Sequence, residues 1–412
     1  MVEYVKASEQ DHLHLVDFLD YVFSKAYRPH DFETVLPNIY TARNFMAGSN
    51  YMVKEDGKIV ANVGAYPADF KVCGESLKIC SITAVAVHNR ARSKGYMRKL
   101  MDMALEDMKK EGVALSFLLG QRQRYEYFGY TPCGVQLSYS CNKSNIRHLF
   151  GKDFNSKITL NELERSEDFD SIYQFYNTGP AYVERPRQRF ADIMATWECK
   201  TIGVYQENTI IGYLSCYKDY SAICELSLAD MTLLPEVIGV YLDQYKRHDV
   251  TVDAFPHETE IISQLSRFAE TAKVGHALHF NIIDYPAVLD AFLKLKCKAA
   301  KLPDGALTVY IKDRCTIKIA VTGNQPSASI IDGVPAADNV SATTNVSHID
   351  DASDIDNMLT EGQGAYIECT HTEAMQLFFS PVSTFNLGGL SGNTFARSLF
   401  PIPIFIKNLD RS

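Results

Sequence analysis

An α+β fold is predicted for this 412-residue chain on three observations. Strand-like runs pair across tight turns as hairpins in each third of the sequence. Stretches with helical apolar spacing separate those runs. One segment, residues 81–130, reads in order as strand, basic turn, helix, strand and aromatic turn. At about 150 residues per domain the length predicts two or three domains, and we place the divisions at 1–150, 151–285 and 286–412.

The elements follow in order. Ser8 with Asp11 three positions on reads as a helix start, and Leu13, Val16, Leu19, Val22 and Phe23 recur near helical spacing. Tyr51–Val53 and Lys58–Val63 flank the turn Glu55-Asp56-Gly57 as a hairpin. Cys80–Val87 is a strand-like run. Met97, Leu100, Met101, Ala104 and Met108 mark a helix that Gly112 stops, and Val113–Leu119 reads as a buried strand. In the middle third, Thr201–Tyr205 and Thr209–Leu214 flank Gln206-Glu207-Asn208, a hairpin matching the earlier one. After Pro286, Leu289, Phe292, Leu293 and Leu295 predict a short helix. The alternating runs Leu307–Ile311 and Ile317–Val321 predict another hairpin. Residues 324–357 are rich in Asn, Ser, Ala, Thr and Asp, and no Lys or Arg occurs between Lys318 and Arg397. This stretch reads as loops on a solvated acidic face, or as a surface that attracts cationic acceptors or a partner.

Composition narrows the function. Hydrophobic residues at 46% and charged residues at 22% are globular values. Fifty acidic against 41 basic residues give a net charge of −9, which argues against a nucleic-acid partner. No signal peptide is visible and no apolar run reaches about 18 residues, so a cytoplasmic protein without a membrane partner is expected. The ten cysteines form no CxxC pair and read as buried thiols, with no metal site expected.

Against that acidic background, the turn after Val87 carries Arg90, Arg92, Lys94, Arg98 and Lys99 with no acidic residue between His88 and Met101. Basic side chains are disfavoured at a helix N-terminus, where the dipole is already positive, so their presence needs a reason. Gly95 admits close backbone approach, and the helix start directs N–H groups at the same point. A polyphosphate, such as a pyrophosphate bridge, fits there. A basic first turn without a ligand is the plainer alternative. The phosphate loops GxGxxG and GxxxxGK[ST] are missing.

The run Val85-Ala86-Val87 to Arg92-Ser93-Lys94-Gly95-Tyr96-Met97 resembles the acetyl-CoA loop of GNAT acetyltransferases, [RQ]xxGx[GA]. Arg92 and Gly95 match, and Met97 stands where Gly or Ala is usual. The turn Tyr125-Glu126-Tyr127-Phe128-Gly129-Tyr130 then resembles the YxxFGY of Eis-type (enhanced intracellular survival) acetyltransferases, as do the length and the order of segments. The resemblance implies two tandem GNAT folds, the second without cofactor, followed by a sterol-carrier-protein-like domain. It implies a homo-oligomer, the family often assembling as hexamers. It also implies acetyl-CoA as co-substrate, held by Val85, Val87, Arg92, Ser93, Lys94, Gly95, Tyr96, Met97, Gly120 and Gln121.

Acetyl transfer to an amine requires a neutral amine, although such groups titrate near ~10.4, and it is helped by a proton for the departing thiolate. The resemblance implies Tyr125 as general acid, with Tyr127 and Tyr130 competing, and the carboxylate of Ser412 as base, with Asp410 as a substitute. The expected activity is N-acetyl transfer to a small-molecule or peptide amine. A non-catalytic acyl-CoA or lipid sensor is the alternative, and a cysteine-based acyl carrier ranks last.

Overall fold

The structure, a computed structural model, describes residues 1–26, 29–151, 154–331, 343–345, 365–382 and 393–411. Among these residues three sheets form. The first runs Val2–Lys6, Asn50–Glu55, Lys58–Val72, Glu75–Val87, Leu115–Leu118, Leu278–Ile282, Thr131–Cys133. The second runs Thr271–Gly275, Gln136–Asn142, Asp249–Ala254, Ala222–Leu228, Thr209–Cys216, Lys200–Gln206, Ile158–Glu162. Each is antiparallel except for one parallel pair, and a helix makes the crossover that parallel neighbours require. In the first sheet Ile79–Ile82 lies parallel to Leu115–Leu118, joined by the helix Tyr96–Lys110. In the second Ala222 and Ile223 lie parallel to Thr251 and Val252, joined by Leu234–Gln244. The shared arrangement makes these tandem copies of one α+β fold.

Local chemistry explains the elements. Asp56 and Gly57, with φ of +47° and +78°, and Glu207 and Asn208, with +50° and +68°, supply the consecutive left-handed residues that two-residue hairpin turns need. The helix Tyr96–Lys110 buries Tyr96, Leu100, Met101, Ala104 and Met108 along one stripe against Ala61, Val63, Ala65 and Ile82 of the first sheet. At the N-terminus the Asp11 carboxylate accepts from both the amide and the hydroxyl of Ser8 at 2.9 Å, and the helix His12–Ala26 follows. Its stripe is Leu15, Val16, Phe18 and Leu19; Leu13, expected inside, is 70% exposed because it falls one position off that stripe.

Strands cross the divisions expected at 150 and 285. Gln136–Asn142 belongs to the second sheet, pairing with Asp249–Ala254. Leu278–Ile282 returns to the first and is inserted between Leu115–Leu118 and Thr131–Cys133. Ala181–Val183 pairs with the far end of Lys58–Val72, Val183 opposite Phe70. Each exchange pairs edge groups that would otherwise be open.

The third sheet runs Gln325–Ile331, Cys315–Thr322, Gly305–Ile311, Ala365–Cys369, Thr343–Asn345. Helix Tyr285–Ala299 packs Val288, Leu289, Phe292 and Leu295 into the core that contains Leu307, Ile317 and Ile319. The loop reading of 324–357 is corrected over Gln325–Ile331. This is an edge strand paired on one side with Cys315–Thr322, where polar residues and Pro326 are tolerated. Residues 332–342 and 346–357 lie outside the described residues.

Candidate active site

A bulge opens the site. Opposite Lys58–Val72 the register of Glu75–Val87 passes from Gly64–Thr83 to Asn62–Ala86 and skips Ala84 and Val85. Ala84 takes φ +48°, a conformation costly for a residue with a Cβ, and the buried Asn62 side-chain amide donates to its carbonyl at 3.0 Å. On the other side the pairing with Leu115–Leu118 ends at Ile82. Val85 and Val87 therefore lie past the end of that ladder.

The basic turn closes one end of the gap. His88 accepts from the Arg90 amide at 3.2 Å, and its ring stacks on Tyr21 with centroids 5.5 Å apart. Ser93 and Gly95 are left-handed at φ +63° and +77°, and Gly95 precedes the helix Tyr96–Lys110 with no side-chain cap. A Cβ on Gly95 would meet nothing within 4 Å, so the amides here front open space. The side chains divide by role. The Lys94 ammonium pairs with Glu55 at 2.7 Å, and the Tyr96 hydroxyl donates to the same carboxylate, which pushes the phenol up to about 12. Lys94 and Tyr96 thus brace the loop through Glu55. Arg92 is exposed and makes no ion pair among the described residues. Arg98 lies over the Tyr127 ring at 4.2 Å.

These elements surround a cleft of about 690 Å³ whose walls include Val85, Val87, residues 92–98, Tyr125 and Tyr127. The structure separates the three competing tyrosines. Tyr130 is fully buried, its hydroxyl shared with Ser116 Oγ at 2.7 Å, and burial drives its phenol far above the ordinary range. Tyr127 is 66% exposed beneath Arg98. Tyr125 is 9% exposed and lines the cleft. Gly120 and Gln121 do not line it. Gly120 backs onto the Tyr125 ring, where a Cβ would sit 2.3 Å from Cε2, and Gln121 starts the short helix Arg122–Tyr125.

A second cavity of about 370 Å³ lies on the other face of the first sheet. Its walls include Ser81 and Phe117, which alternate with the helix-facing Cys80, Ile82 and Leu118, together with Asn38, Asp69, Arg189 and Asp410. The C-terminal tail reaches it through a buried charge cluster. Arg185, 1% exposed, donates to Asp410 at 2.7 and 2.9 Å and to Glu225 at 2.9 and 2.8 Å. Burial raises the Asp410 carboxyl despite Arg185, whereas Arg185 and Lys407 hold Glu225 low against its own burial. Trp197 fixes the tail by donating to the Arg411 carbonyl at 2.8 Å. Ser412 lies outside the described residues.

Sequence reasoning missed the bulge at Ala84, the Asn62 amide that holds it, and Arg185. Arg98 was visible in the basic turn. A buried arginine and an alanine with positive φ leave no local pattern.

Residues 3–133 match the sequence profile of the acetyltransferase (GNAT) domain. Residues 3–133 therefore form a GNAT acetyltransferase domain, and the chain carries an N-acetyltransferase domain. The whole chain also has solved counterparts in fold. The GCN5-related N-acetyltransferase from Anabaena variabilis superposes with a TM-score of 0.63 at 14% identity, over 99% of this chain and 98% of that one. The GCN5-related N-acetyltransferase from Kribbella flavida gives 0.63 at 13%, over 100% and 98%. Eis1 from Mycobacterium abscessus gives 0.54 at 13%, over 81% and 86%. The chain shares its fold with these proteins, Eis1 among them. No curated protein sequence matches it. Among the described residues no helix is long and apolar enough to cross a membrane.

Proposed function

We propose that the protein moves the acetyl group of acetyl-CoA directly to a primary amine, with Tyr125 as general acid. The single observation that supports this most is the 690 Å³ cleft, whose wall holds both the basic turn and Tyr125. In this reading the backbone groups of Val85 and Val87 align the pantetheine arm beside the bulge. The amides from Arg92 to Met97 and the Arg92 guanidinium face the pyrophosphate at the positive end of the helix. The Tyr125 hydroxyl delivers a proton to the departing sulfur, a thiol of ordinary pKa near ~8.5. The amine arrives from the second cavity, on the opposite face of the sheet. Its proton passes to the tail, which brings Asp410 to that cavity; the Ser412 carboxylate is the base that the resemblance implies.

The test is thiol release from acetyl-CoA with spermine, neomycin and a lysine-bearing peptide as amines. Release by the parent is expected, with a loss of about 100-fold or more in kcat for Tyr125→Phe and unchanged cofactor affinity. Binding of acetyl-CoA without release to any amine would favour the sensor reading. Full activity in Tyr125→Phe would remove the acid assignment.

A further inference from the structure

The turn that carries Tyr125 is held from outside its own domain. Arg122–Tyr125 and Glu126–Phe128 are short helical turns that end at Gly129, with φ +87°. Their own bonds include Gly129 N–H to Glu126 at 3.0 Å and Tyr130 N–H to the Tyr125 carbonyl at 3.2 Å. The outward carbonyls of the turn are taken by distant residues. Asn281, 4% exposed on the inserted strand Leu278–Ile282, donates to the Phe128 carbonyl at 3.1 Å. His371, the first residue of the helix His371–Phe379 in the C-terminal domain, meets the Gly129 carbonyl through Nε2 at 2.9 Å.

The ring of His371 is held in one tautomer. A carbonyl only accepts, so Nε2 carries the hydrogen and donates to Gly129. Nδ1 then accepts from the Tyr285 hydroxyl at 2.8 Å, and Tyr285 is 2% exposed at the start of the helix Tyr285–Ala299. Burial and the nearby Arg314 guanidinium keep the imidazole neutral, lowering its pKa to about 4. The helix that presents His371 is itself capped: the Thr370 amide and hydroxyl both donate to Glu373, at 2.7 and 2.8 Å. A Cβ on Gly129 would approach Asn281 Oδ1 at 3.2 Å and His371 Nε2 at 3.3 Å, so the clamp closes directly on this glycine.

We infer that His371, oriented by Tyr285, is a positioning residue for acetyl transfer, by which the C-terminal domain sets the place of Tyr125 through the Gly129 carbonyl. The inference rests on Tyr125 being the acid. It assigns the last domain a part in turnover that needs no ligand of its own: the turn is ordered for proton delivery only while that domain is docked.

Three variants test it, using the amine above that releases thiol fastest. His371→Phe removes both hydrogen bonds at similar volume, and kcat should fall about tenfold while KM for acetyl-CoA stays within about twofold. His371→Gln keeps an N–H for the Gly129 carbonyl and should stay within about threefold of the parent. In a Tyr125→Phe background, His371→Phe should cost nothing further, because both act on one proton transfer. Should His371→Phe fail to fold, Tyr285→Phe keeps the core ring and removes only the hydroxyl; its kcat should fall about threefold with KM unchanged. A folded His371→Phe or Tyr285→Phe with parental kcat, even with a lower Tm, overturns the inference, as does an equal loss in the Gln and Phe variants of His371. If Tyr125→Phe itself retains activity, the acid assignment has failed and this inference goes with it.

Discussion

Gly120→Ala tests the placement of Tyr125 without touching its hydroxyl. The added Cβ would lie 2.3 Å from Tyr125 Cε2, 2.9 Å from Cδ2 and 3.3 Å from Cζ. Carbon atoms pack at about 3.5–4.0 Å, so the near edge of the ring must retreat by about 1 Å. Tyr130 stands edge-on with ring centroids 6.5 Å apart and is itself fixed to Ser116. A displacement of about 1 Å at a reacting group lowers turnover by up to about 100-fold. Steady-state kinetics should therefore show a fall in kcat of about 10- to 100-fold, while calorimetric affinity for CoA stays near the parent value, because Gly120 is not on the cleft wall. Gly48→Ala is the control: its Cβ would meet nothing within 4 Å, and its activity should be unchanged. Parental kcat in Gly120→Ala would mean that the ring adjusts freely, and the argument that its position matters would be wrong.

Two other outcomes are expected. Arg92→Glu places a negative charge among the amides of the basic turn and should weaken CoA binding by about tenfold or more, an effect that shrinks with added salt, whereas Lys109→Glu, at the far end of the same helix, should leave it unchanged in calorimetry. The pH response should carry the mark of His257, which stacks on Phe405 with centroids 4.5 Å apart and whose pKa burial lowers to about 4. The unfolded chain takes up that proton near pH ~6.5 and the folded chain only near 4, so this stability is present above about 6.5 and is lost as pH falls toward 4. Its size is on the order of 2 kcal/mol, and urea unfolding at pH 7 and pH 5 should show a smaller pH-dependent loss in His257→Phe than in the parent.

Several parts of the site are readable along the chain because their causes act over a few residues. The basic turn, Gly95 and the apolar stripe from Tyr96 to Met108 are adjacent in sequence; the structure brings the turn, Gly95 and Tyr96 to one cleft with Tyr125 and packs the stripe on the sheet. The same holds for the hairpins at Asp56-Gly57 and Glu207-Asn208, whose turn residues determine their pairing. Other expectations depended on surroundings that composition does not report. Lys94 lies in the basic turn, and Glu55, 39 residues earlier, takes its ammonium. Gly120 makes room for the Tyr125 ring, a contact that no local pattern reports. Leu13 fits a helical period but not the face that the sheet covers.

The sequence by itself determined the first two hairpins, the basic turn with its helix and the aromatic turn after it, since capping, turn geometry and periodic burial are local. Tertiary structure alone decided that Leu278–Ile282 enters the first sheet, that Arg185 reaches Glu225 across 40 residues and Asp410 across 225, and that His371 reaches Gly129 across 242. The physical reason is the short reach of the forces involved. A buried strand edge, guanidinium or carbonyl must be satisfied within about 3 Å, by whichever segment the packing delivers.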